Sequence, residues 1–186
     1  MFSRLFRRDR RGDGIANALY GAIVAQARRP AFYAELGVPD SLEGRFEMLL
    51  LHLTLVSRRL MRKEGGEARA AGQAAFDLFC ADMDGSLREL GVGDLSVPRR
   101  MREMGEAFFG RSAAYEAALS VASLEAMTDA IGRNVWPEGE GGQASAIAAY
   151  AMALVANLDA QPDAAILANG PAFPDITAFV GEGVGS

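Results

Sequence analysis

Residues 42–63, LEGRFEMLLLHLTLVSRRLMRK, leave the fold the least freedom. At helical pitch Leu42, Phe46, Leu49, Leu53, Val56 and Leu60 fall on one face, and Met48, Leu51 and Leu55 lie on the far side. A helix apolar almost all round its middle is stable only when other helices enclose it, so this stretch reads as the spine of a bundle. Asp40 or Ser41 is the predicted N-cap, with Glu43 three residues beyond Asp40 completing a capping-box pattern. Arg58, Arg59, Arg62 and Lys63 suit the negative end of the helix dipole.

The remaining segments repeat the helical period. Ile15, Leu19, Ile23 and Ala27 recur every four residues behind Asp13, and Pro30 closes that helix. A short turn over 31–36 ends at Gly37. After the Glu64-Gly65-Gly66 break, a helix over 67–90 places Phe76, Phe79, Cys80, Met83, Leu87 and Leu90 on one face, with Asp84 and Arg88 as an i, i+4 pair. Gly91 stops it. Pro98 then opens a helix to about 120 whose inner face holds Met101, Met104, Phe108, Tyr115 and Leu119, with Phe109 pointing elsewhere. Leu124, Met127, Ile131 and Val135 form a shorter helix. Ile147, Tyr150, Leu154 and Leu158 line the inner face of an alanine-rich one. Met83, Met101 and Met104 are expected to fill the core. Strand-type alternation is almost absent, so the expected fold is all-α, an irregular bundle of six to eight helices in a single domain. Residues 1–12 read as a basic amphipathic arm, 13–170 as the helical domain and 171–186 as a flexible tail. Part of that tail, carrying Phe173, Ile176, Phe179 and Val180, is expected to pack back onto the body.

Charge and chemistry then narrow the function. A net charge of −5 hides an asymmetry: beyond Arg111 the only basic residue is Arg133, set against nine acids. Nucleic-acid binding, which needs clustered positive charge, is not expected. The single Cys80 makes neither an intramolecular disulfide nor a CxxC site. The chain has no Walker A, HExxH or GxSxG motif, and the GVG of residues 91–93 follows a helix and lacks a third glycine. No catalytic, cofactor or metal residues are therefore assigned. The most apolar stretch, 144–158, is too short and too alanine-rich for a membrane span. The opening MFSRLFRRDRR sets Phe2, Leu5 and Phe6 among arginines. Phe2, Arg4, Leu5, Phe6, Arg7 and Arg8 either contact an anionic membrane surface or form a solubilising start. The lone His52 shares an angular sector with Arg45 and Arg59, seven residues to either side, with Lys63 close by. It belongs either to a positive stripe for an acidic partner or to a histidine bonded to a neighbouring helix.

Three long, non-repetitive motifs carry a resemblance: GVPDSLEGRFE at the spine's start, DMDGSLRELGVGD between two helices, and FFGRSAAYEAAL downstream. Over roughly 20–119 the chain closely resembles the ubiquinol-cytochrome c chaperone family, whose mitochondrial members assist cytochrome b during assembly of respiratory complex III. The resemblance implies a non-enzymatic assembly factor for a cytochrome b-like membrane client of the cytochrome bc1 complex. It also implies a second small assembly partner. Mitochondrial members carry a long N-terminal targeting extension that this chain lacks, which points to a bacterial-type member, cytoplasmic and peripheral to the inner membrane. Arg45, His52, Arg59, Phe109, Arg111 and Tyr115 are the candidate partner-binding residues, while Asp82, Asp84 and Arg88 are expected to fix the turn around 91–94. The alternative is a helical small-molecule or lipid-binding protein, or an enzyme, using a cleft near His52 and Arg45. A pocket converging on His52 would favour that alternative; an open apolar groove rimmed by arginines would favour a protein or membrane partner.

Overall fold

A computed structural model describes residues 10–62, 66–139 and 143–181. The described residues form eight α-helices and no strand: α1 Arg10–Ala27, α2 Pro30–Ala34, α3 Leu42–Met61, α4 Gly66–Glu89, α5 Val97–Ser120, α6 Leu124–Val135, α7 Ala144–Ala160 and α8 Asp163–Asn169. A 3-10 turn, Ile176–Phe179, follows. The chain is all-α, and α1, α4, α5, α6 and α7 all pack on α3.

The spine is sealed where the sequence is most apolar. Every residue from Leu50 to Ser57 is buried, including the far-side Leu51 and Leu55. Each fully enclosed leucine contributes about 1.5–3 kcal/mol, so the middle of α3 is the main source of cohesion. Ser41, rather than Asp40, caps the helix: its hydroxyl accepts the Gly44 amide at 3.2 Å. Asp40 instead takes the Arg45 guanidinium at 2.6 Å.

The start of α3 differs from the expectation. Leu42 is 67 % exposed, and Phe46 and Leu49 are only half-buried, although all three lie on the predicted core face. The reason is how α4 and α5 pack. They bury Phe79 and Phe108 near the body, but between those two positions only Val97 is buried. The hairpin tip therefore stands clear, and Met83, Met101 and Met104, read as core, are half-exposed. The methionines that do fill the core are Met48 and Met127.

The hairpin turn is built from local chemistry. Gly91, at φ +79°, adopts the left-handed conformation that ends α4. The Val92 amide bonds the Leu87 carbonyl and the Gly91 amide bonds that of Arg88, both at 3.0 Å, giving a Schellman close. Arg88 bonds Asp84 on its own helix at 2.7 Å and Asp94 across the turn at 2.6 Å.

The domain limits also shift. Residues 171–180 are part of the packed body: Ile176 is fully enclosed, Phe173 lies edge-on to His52 at 5.9 Å and Phe179 edge-on to Tyr150 at 5.7 Å. Gln161 clamps the segment through both the amide and the carbonyl of Ala172. The limit drawn at 170 falls inside the core because the aromatic residues beyond it complete the cover over α3 and α7. The arm residues Phe2, Arg4, Leu5, Phe6, Arg7 and Arg8 lie outside the described residues, as does Lys63.

Candidate functional site

The stripe expected from Arg45, His52 and Arg59 does not form. Their seven-residue spacing does put them in one sector, but α3 runs from the surface into the core, and what covers that sector changes along it. His52 is fully buried. Its Nδ1 lies 2.7 Å from the Met48 carbonyl oxygen, which can only accept, so Nδ1 carries the proton. Nε2 then accepts the Tyr150 hydroxyl at 2.8 Å, and the Tyr150 oxygen accepts from Gln26 at 2.9 Å. This relay links α1, α3 and α7 with every ring nitrogen satisfied. Burial pushes the His52 pKa down to about 4, so the ring is neutral near pH 7.

Arg59 is used internally as well. It donates to the carbonyls of Leu158 and Gln161 at 2.8 and 2.6 Å and pairs with Asp163 at 2.8 Å, capping the end of α7. Arg111 forks onto the Glu47 carboxylate, with Nε 2.9 Å from one oxygen and the second nitrogen on the other. Hydrogen bonding to Glu47 pushes the Arg111 pKa up, fixing its charge. Tyr115 is buried one turn further along α5. Glu47 is the residue that sequence reasoning missed, since its partner lies 64 positions away. Of the candidate partner-binding residues, Phe109, at 66 % exposure, and Arg45 remain open to solvent.

The open apolar surface lies elsewhere, where the hairpin tip overhangs the end of α1 and the start of α3. This groove has a volume of about 400 Å³. Its floor is Leu42, Phe46 and Leu49 of α3, and its wall is Met83, Leu87 and Leu90 of α4. Val24 of α1 and Met104 of α5 complete it. Leu90, at 65 % exposure, matches the exposed Leu42. Arg28 and Arg45 both line it, and they also border an adjoining depression that contains Pro30 and Tyr33. Asp82, on the α4 side, is engaged by the Tyr20 hydroxyl at 2.7 Å. A different cleft, lined by Ser41, Glu47, Arg111, Arg133 and Trp136, is more polar.

Comparison with known proteins places this geometry. The family described as Ubiquinol-cytochrome C chaperone matches residues 34–173. The chain belongs to the ubiquinol-cytochrome c chaperone family. The crystal structure of the Cbp3 homolog from Brucella abortus superposes with a TM-score of 0.84 at 38 % identity, covering 95 % of this chain and 98 % of that one. None of the curated proteins matches it. The region matched by the chaperone family spans the spine, the α4–α5 hairpin and most of the groove, including Leu42, Leu49, Leu87, Leu90 and Met104. The helical chaperone fold extends to α1 and to the 3-10 turn, both of which pack on that core. Among the described residues no helix is long and apolar enough to cross a membrane.

Proposed function

We propose that this protein is a non-enzymatic chaperone that holds an apolar, cytochrome b-like membrane subunit while the cytochrome bc1 complex is assembled. The observation that carries the reading is the open apolar groove, rimmed by Arg28 and Arg45, in a member of the chaperone family. A holding protein needs apolar surface that can adapt to its client, and half-exposed methionines and leucines provide it because thioether chains repack at little cost. The work is done from the cytoplasmic face, peripheral to the inner membrane, with Phe2, Arg4, Leu5, Phe6, Arg7 and Arg8 touching anionic lipid and a second assembly factor sharing the client.

The ligand-binding alternative loses its premise. His52 is enclosed with both nitrogens bonded, while Arg45 sits in the open, so the two do not line one cleft. A general base at His52 would have no solvent or substrate within reach.

The test is affinity recovery from solubilised membranes, with the full chain and with residues 1–9 removed. Cytochrome b is expected among the recovered proteins, and cells lacking the chaperone are expected to hold little assembled bc1 complex. A normal amount of complex in those cells would end the proposal. Recovery that survives loss of the arm would end the membrane-contact part alone.

A further inference from the structure

We propose, resting on the chaperone reading above, that the groove beneath the α4–α5 hairpin is the seat of the client and takes one apolar helical segment of about two turns, flanked by an acidic group that meets Arg28 and Arg45. Groove length sets the size of the occupant. Leu42 and Leu49 on the floor, like Met83 and Leu90 on the wall, are seven positions apart, about 10 Å along a helix. That matches a stripe of side chains at i, i+4 and i+7, the usual reading of a helix in a groove. A spanning helix is about 30 Å long, so the groove grips one end of it and leaves the rest free to enter the bilayer.

Charge at one end selects the flank. Arg28 has no carboxylate partner among the described residues, and Arg45 has only Asp40, with both of those side chains more than half exposed. An exposed pair of this kind is worth little, so Arg45 exchanges partners at small cost. The amino end of α3 adds its own partial positive charge beside Leu42. Of the two acids along the groove, Asp82 is held by Tyr20, and Glu43 also borders the separate polar cleft beside Ser41 and Trp136. Between Phe79 and Phe108 the hairpin buries only Val97, and Tyr20 ties Asp82 to α1, so residues 84–96 around the turn are the part left to adjust over the segment.

A photoreactive phenylalanine analogue placed at Leu42 or Leu90, in the full chain in cells that make the bc1 complex, tests the seat. Leu95, which is 99 % exposed on the turn, and Phe109 are the control positions. Crosslinks to cytochrome b, identified by mass spectrometry, are expected from Leu42 and Leu90 and not from Leu95 or Phe109. In parallel, Leu42→Asp with Leu90→Lys tests the apolar contact. Both positions are exposed, aspartate suits the first turn of α3 and lysine suits the end of α4, so helicity and Tm are expected to hold. Recovered cytochrome b is expected to fall about tenfold.

Crosslinking from Leu95 or Phe109 with unchanged recovery in the double variant would overturn the groove and leave the chaperone reading standing. Crosslinks from Leu42 and Leu90 to lipid or to a second copy of the chain would also overturn it. Absence of cytochrome b at every position, with normal bc1 complex in cells lacking the protein, would remove the chaperone reading itself.

Discussion

His52 shows how much a single buried side chain governs. Its folded pKa, held near 4 by burial, lies below the unfolded value near 6.5, so the unfolded chain binds more protons between those limits. The stability that comes from keeping the ring neutral is complete above about pH 6.5 and is lost as pH falls toward 4. Urea unfolding at pH 7 and pH 5 is expected to show a loss of about 2 kcal/mol from this group, absent from the difference measured for His52→Gln. Gly44 is constrained by space rather than charge. A Cβ there would stand 2.0 Å from the Pro39 carbonyl oxygen, backbone that cannot step aside. Gly44→Ala is expected to cost about 3 kcal/mol in urea unfolding, the upper range for overpacking.

At the scale of elements, the α4–α5 hairpin is two structures in one. Near the body, Phe76, Phe79 and Phe108 form an aromatic cluster, with Phe76 and Phe108 ring centroids 4.8 Å apart. Beyond it the helices are held by their own backbone bonds, the buried Val97, the Tyr20–Asp82 bond to α1 and the Arg88 clasp, and exposed ion pairs such as that clasp contribute little. Few buried contacts mean low local stability. Amide hydrogen exchange is therefore expected to be faster over residues 82–104 than over 50–57 by at least about two orders of magnitude, and slower over 82–104 when a client fills the groove. Equal protection of the two segments would show that the tip is more firmly anchored than its burial implies.

The whole molecule is closed by its C-terminal segment, part of which was already expected from the sequence to pack back onto the body. Residues 171–180 place Phe173, Ile176 and Phe179 against His52, Tyr150 and α2. Truncation after Gly170 uncovers that network and removes a fully buried isoleucine with two packed aromatics. The expected loss is at least about 4 kcal/mol, read as a drop in Tm and in the urea midpoint. An unchanged Tm would show that this cover contributes little to the stability of the core.

What the amino-acid sequence determined by itself was local. The 3.6-residue period of α3, α6 and α7, a cap at Asp40 or Ser41, the Gly91 stop and the Asp84–Arg88 pair all depend on neighbours within a turn or two, so they are legible in a linear string. The family, too, was legible, because GVPDSLEGRFE and FFGRSAAYEAAL are long and specific. What only the tertiary structure decided is which apolar face finds a cover. The same periodicity produced a sealed helix at Leu53 and an open one at Leu42. It could not tell that His52 bonds Tyr150, 98 positions away, or that Glu47 takes Arg111. Burial is a property of distant segments arriving at one place, and that arrival turned one end of a predicted core face into the open floor of a groove.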